Sequence, residues 1–287
     1  ASSRIAGNMT EKRQLTDRPD AGLPAWRQLW NVSARRLSVR SKSLVTFLDL
    51  RMESLILWWI AATVLIAFVK VGGTSKTPRD LLHAVALSLP CLLVALAPIA
   101  GYRLAAGSFP RGTLSAQPAI RLCRYGTWRR LDELSARASP AFGPAGFMAS
   151  LLLGLLLNVP VRSMEFFAAV PALGADAPVW ARSILLMMTL DAIAMNFFYM
   201  VCFVLALRSI PLFPRMLIFA WLVDIAMQLS IAHVVASAPD LPHDVAAVMS
   251  GLLVGNIEKV LISVAVWLPY LIVSERVNVT FRHRARA

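Results

Sequence analysis

The sequence predicts an all-α protein, a polytopic integral membrane helical bundle of about six transmembrane helices with both termini on the cytoplasmic side. Composition is the first ground: 57% of the 287 residues are hydrophobic and the mean hydropathy is +0.63, whereas a soluble domain is roughly 45–50% apolar. The second is that the excess is gathered into blocks, several near the ~20 residues that cross a ~30 Å hydrocarbon core as a helix. The third is an uneven distribution of positive charge. Only helices and closed barrels satisfy their backbone groups in lipid. Barrel strands alternate polar and apolar residues, but runs such as SILLMMTLDAIAMNFFYMVCFVLAL are continuous, so helices are predicted.

Residues 1–52 are expected to form a cytoplasmic basic region. Within it, 1–24 are polar and charged and predict disorder. No signal peptide pattern opens the chain. Met9 followed by TEKRQ reads as a natural start, so residues 1–8 are expected to be an addition. Over 25–41, Trp26, Leu29, Trp30 and Leu37 fall near one face with Arg27, Arg35 and Arg36 between them, the composition of a helix lying among lipid headgroups.

Two spans are predicted at 53–72 and 81–102, the second containing Pro90 and Pro98. Residues 103–143 form a basic cytoplasmic loop, with a short helix expected over 119–136 that aligns Trp128, Leu131 and Leu134. SPAFGPAG (139–146) then breaks the chain and marks the expected boundary of a four-helix unit, 144–283, able to fold without the first two spans. Its spans are placed at 144–160, 183–207, 216–236 and 254–274. The turn RSIPLFPR (208–215) joins the second and third of these, and SAPDLPHD (237–244) precedes an apolar segment at 245–255, too short to cross alone.

Lys and Arg number ten in 1–53, seven in 103–143, two in 208–215 and four from residue 274 onward, twenty-three in all. The opposite segments hold Lys70, Lys76, Arg79, Arg162 and Arg182, and Lys259 lies within the last span. Cytoplasmic loops collect such residues. The asymmetry requires an even number of spans, which independently supports six. It also explains the net charge of +13 without the nucleic-acid partner that such a charge would suggest in a soluble protein.

The segment WLPYLIVSERVNVTF (267–281) resembles the terminal signature of the bacterial domain-of-unknown-function 2569 family, in which Trp, an aliphatic residue and Pro-Tyr precede Ser-x-Arg-Val-x-x-Thr-Phe. The matching residues are Trp267, Pro269, Tyr270, Ser274, Arg276, Val277, Thr280 and Phe281. LFPRM (212–216) is similar to the family's Phe-Pro-Arg turn. The likeness covers residues 140–283, departs at Glu275 where a basic residue is expected, and implies a small multispanning membrane protein with no established activity. It places the chain in a bacterial inner membrane. In physical terms Pro269 lacks a backbone donor and should bend its helix, Trp267 and Tyr270 suit the interface, and Arg276 suits lipid phosphate or a helix's carbonyl end.

Charges inside a span are costly and mark functional sites or interhelical clasps. Asp191, Asp224, Glu258 and Lys259 are such charges, and Asn196 and Gln228 add polar groups to the same helices. Asp191 is placed ~12 Å below the outer face, Asp224 near the middle of its span, and Glu258 and Lys259 in the outer part of theirs. A cluster of Asp191, Asp224 and Lys259 is expected, serving either as a proton, cation or small-solute site or as a packing clasp.

Cys91, Cys123 and Cys202 suggest neither a disulfide framework nor a metal site. His83, His233, His243 and His283 show no i, i+4 ligand spacing. No metal or other cofactor is expected. No phosphate loop, nucleophile elbow or HExxH is present, so no enzyme is predicted. The expected function is a non-enzymatic accessory or scaffold subunit of a membrane complex, suggested by the basic N-terminal region and small-residue runs suited to helix contacts. The alternative is a small-solute or ion transporter using the buried carboxylates. The expected partners are the bilayer, including anionic headgroups, and a membrane protein. A reporter fused after Ala287 should be active in the cytoplasm, and one inserted at Pro239 should report the opposite side. Both on one side would refute six spans.

Overall fold

The computed structural model describes residues 25–72, 81–112, 116–118, 126–170 and 177–287, and of residues 25–39, 71 and 81–87 only the backbone. The expected disorder of 1–24, Cys123 and the first part of the short helix predicted over 119–136 lie outside the described residues. Eight helices and a two-stranded ribbon follow in the order α1 (Ala25–Gly72), α2 (Leu81–Ser108), β1 (Trp128–Arg130), α3 (Glu133–Ala138), α4 (Phe147–Ala169), α5 (Val179–Leu207), α6 (Phe213–Ala236), α7 (His243–Val273), α8 (Glu275–Arg282) and β2 (Arg284–Arg286). Six of these helices, α1, α2, α4, α5, α6 and α7, contain stretches long and apolar enough to cross a membrane. The chain is an all-α, multi-pass membrane protein.

Several boundaries differ from the sequence reading. The expected interfacial helix and first span are one helix, α1. The third span does not stop at residue 160: α4 runs through Pro160 to Ala169, because proline is tolerated where neighbouring helices surround it. The segment 245–255 and the last span form one helix, α7, beginning at His243. Within the stretch expected to be a short helix, Trp128–Arg130 is a strand, and the helix is confined to Glu133–Ala138. Asp132 caps α3, its carboxylate accepting from Ser135 N at 3.1 Å.

α5 is the central helix. α2, α4 and α6 all pack against it, whereas α7 packs on α6 and α1 on α2. Between α2 and α5 the backbones nearly touch: a Cβ at Gly101 would lie 2.7 Å from the carbonyl oxygen of Phe197. Small residues permit such close approach, which is how helices gain van der Waals contact in lipid. Residues 139–146 therefore divide the helices in sequence but not in packing. Met52, Tyr102 and Ala105 share one core with Leu152, Phe203, Leu217 and Phe281.

One end of the bundle is capped by the arginine-rich segments. β1 and β2 pair antiparallel, Trp128 opposite Arg286 and Arg130 opposite Arg284, so the loop after α2 meets the chain's last residues. Arg103 forks onto Glu53 (2.8 and 2.6 Å) and Arg111 reaches Asp49 (2.7 Å). Arg208 donates to the carbonyls of Ala106 and Phe109, closing the α5–α6 turn over the end of α2. Among the described residues, parts of the segments counted together as basic thus lie together in space. Gly101→Val should drive α2 off α5 and cost about 1–3 kcal/mol. Gly107, where an added Cβ meets nothing within 4 Å, serves as the control: the unfolding midpoint in detergent should fall for Gly101→Val and hold for Gly107→Val.

Candidate functional site

Four helices each turn polar residues towards one region at mid-height. On α5, Asp191 and Tyr199 are eight residues apart and share a face, as do Asp224 and Gln228, four apart on α6. α4 brings Arg162, Ser163 and Glu165, and α7 brings Asn256 and Lys259. Asp191, Asp224 and Lys259 all stand close to the midpoints of their helices. Asp191 lies deeper than the sequence suggested, because α5 begins at Val179; twelve residues along, it is about 18 Å from the helix start. Glu258 and Lys259 are likewise central, because α7 begins at His243 and not near 254.

At the centre is Arg162, which the sequence reading had assigned to an outer loop. Its Nη1 donates to Asp224 Oδ2 at 3.0 Å. Its Nη2 donates to Asp224 Oδ1 at 2.8 Å and to Asp191 Oδ1 and Oδ2 at 3.0 and 2.9 Å. The two carboxylates therefore meet through the guanidinium, whose fork geometry suits bidentate pairing. Tyr199 Oη donates to Asp224 Oδ2 at 2.8 Å. Gln228 Nε2 donates to Asp191 Oδ1 at 3.2 Å, and Asn256 Nδ2 to Gln228 Oε1 at 3.3 Å. Side-chain exposure is 13% for Arg162, 10% for Asp191 and 1% for Asp224, so all three charges are buried.

Lys259 does not join this triad. It donates to Glu165 at 2.5 Å and to Asn256 Oδ1 at 3.4 Å, forming a second pair that is half-exposed between α4 and α7. Asn196 donates to Ser163 Oγ at 2.8 Å, tying α5 to α4 beside the triad. Glu258 is exposed on α7 and apart from the cluster. Arg162, Ser163, Glu165, Tyr199 and Asn256 were missed from the sequence. A signal for Arg162 was present: the apolar run continues past it as MEFFAAV, and two buried carboxylates call for a cation at their own depth.

A cavity of about 190 Å³ adjoins the triad. Arg162, Asp191, Gln228, Asn256, Glu165 and Lys259 supply its polar lining, and Met188, Ile231, Met249 and Leu253 its apolar lining. Arg162 Nε is buried with no hydrogen-bond partner among the described residues. Among those residues no group of three metal-ligating side chains gathers, and His233 and His243 are exposed.

The terminal motif lies elsewhere, at the basic end. Trp267 and Tyr270 pack on Phe147, with ring centroids 4.8 and 5.0 Å away. α7 continues through Pro269 and ends at Ser274, whose N–H donates to Tyr270 O, and α8 starts there. Arg276 donates to the carbonyls of Phe142 and Gly143 (3.4 and 3.3 Å), so it holds the SPAFGPAG loop. Thr280 Oγ accepts from Gly143 N at 3.0 Å, and Val277 and Phe281 are buried, the latter against Phe213. The motif is a structural clamp in this chain.

Compared with family models, curated proteins and solved structures, the chain matches none.

Removing one partner of a buried pair strands the other charge and typically costs ~3–5 kcal/mol. Arg162→Leu strands two carboxylates and should lose at least that much, read as a fall in the unfolding midpoint. Arg162→Leu combined with Asp191→Asn and Asp224→Asn should recover most of the loss.

Proposed function

We propose that this protein is a transporter of a small solute or ion, set in a bacterial inner membrane with its basic end in the cytoplasm, and that its mid-height cluster takes up one positive charge. One observation carries the reading: two buried carboxylates share a single guanidinium beside a cavity. The second pair, Lys259 and Glu165, is neutral by itself, so the cluster holds one negative charge in excess. A charge at the bilayer centre costs several kcal/mol, and a proton or small monovalent cation offsets it. Asp191 is the natural acceptor, because it lines the cavity and Asp224 does not. Asp224 instead receives Tyr199 and both guanidinium nitrogens, a set that holds the site's shape. Pro160, two residues before Arg162 in α4, removes a backbone donor next to the site. The reading stands on the cluster alone.

An accessory subunit is the second reading, and Glu258 favours it. This carboxylate is exposed at the middle of α7, where a partner helix would shield it from lipid.

The test is charge movement across proteoliposome membranes on jumps of pH, sodium or potassium. Wild-type protein should give a transient signal, and Asp191→Asn should abolish it while remaining folded and inserted, since Asn keeps the shape without the charge. Wild-type protein that moves no charge, or an Asp191→Asn variant that moves as much as wild type, would leave the cluster a helix clasp and favour the accessory reading.

A further inference from the structure

The cavity beside Asp191 is not built for a bare ion alone. It lies between α4 and α7, at the height where the exposed Lys259–Glu165 pair bridges them. Part of its wall is polar, with Asp191, Glu165, Gln228 and Asn256 beside the paired cations Arg162 and Lys259, and part is apolar, with Met188, Ile231, Met249 and Leu253. Gly251 and Gly255 of α7 also line it, and a Cβ built on either meets nothing within 4 Å. Both sit mid-helix, where glycine has no conformational use and costs stability. Their contribution here is space, and the space is the cavity's. Water alone needs far less room than 190 Å³.

Resting on the reading of the site given above, we infer that the substrate is a hydrophobic monocation, an amine or ammonium compound, whose charged head meets Asp191 and whose carbon chain lies along Met188, Ile231, Met249 and Leu253. The head supplies the one positive charge that the cluster lacks. Its N–H groups match the acceptors within reach, the Asp191 carboxylate and the amide oxygens of Gln228 and Asn256. The chain buries apolar surface against the methionines, whose flexible thioethers adapt to varied shapes. Glu165 and Lys259 also line the cavity, but they are paired with each other.

The experiment uses the full chain in nanodiscs of zwitterionic lipid. Thermal stabilisation is measured against ammonium, methylammonium, butylammonium and hexylammonium chloride, with the signal of unstabilised protein at equal ionic strength subtracted. A ligand that binds only the folded state raises its stability according to concentration and affinity. Apparent affinity should rise roughly fourfold for each methylene buried. Gly255→Leu, with Gly251→Leu as a second variant, should flatten this rise while keeping ammonium binding, because each fills the space and leaves the carboxylates alone. Asp191→Asn should bind none of the four probes. Equal affinity across the series in wild type, or an undiminished rise in both glycine variants, overturns the inference but not the transport reading. Stabilisation by no amine overturns it too, and charge movement on pH jumps then decides the transport reading separately.

Discussion

A guanidinium held between two carboxylates in the middle of a membrane bundle constrains everything around it. Each of Arg162, Asp191 and Asp224 would be costly alone in a medium of low dielectric, and each becomes tolerable through the others. The contact sets the relative heights of α4, α5 and α6, because sliding any one of them by a turn would strand a charge. Tyr199, Gln228 and Asn256 extend the constraint to α7 through hydrogen bonds near 3 Å. Satisfying these groups does not neutralise them, since one negative charge remains. The interaction that holds the helices in register is also the one whose formal charges do not cancel.

The two ends of the molecule are built differently. At the basic end, arginines act as donors to backbone carbonyls as much as they act as charges: Arg208 on Ala106 and Phe109, Arg276 on Phe142 and Gly143, Arg282 on Leu271 at 2.8 Å. The β1–β2 ribbon and α8 tie the long loop to the chain's final residues. Positive-inside bias and structural capping are one set of side chains serving two purposes. Further along the bundle α4 and α7 remain apart, with glycines where larger residues would close the gap.

Much of the polar cluster was legible before any coordinates, because charge in an apolar run is rare and its depth can be counted. Asp191 and Asp224 come together through Arg162, and Gln228 bonds Asp191. Lys259 was expected in the same cluster and stands one shell away, bonded to Glu165, because α7 begins at residue 243 and shifts everything on it. Glu258, one residue before Lys259, is exposed on α7 like its neighbour, but only Lys259 is turned towards Glu165 and Asn256. Asn196 faces α4 and bonds Ser163, apart from the carboxylates. Arg162 was hidden by Pro160: a proline next to an arginine reads as a helix ending at the interface, and only surrounding helices make both acceptable inside a span.

By itself the sequence determined the solvent. Twenty-residue apolar runs have no stable arrangement in water, and lipid leaves them only the helix, so fold class and span number follow from composition and spacing. The grouping of basic segments at one end follows from the parity of those spans. Which side chains touch was decided by tertiary structure alone. Inside the membrane there is little hydrophobic gain to distinguish one helix pairing from another, so the choice falls to close packing and to the pairing of charges. Gly101 against Phe197 and Arg162 between two aspartates are the outcomes of that choice.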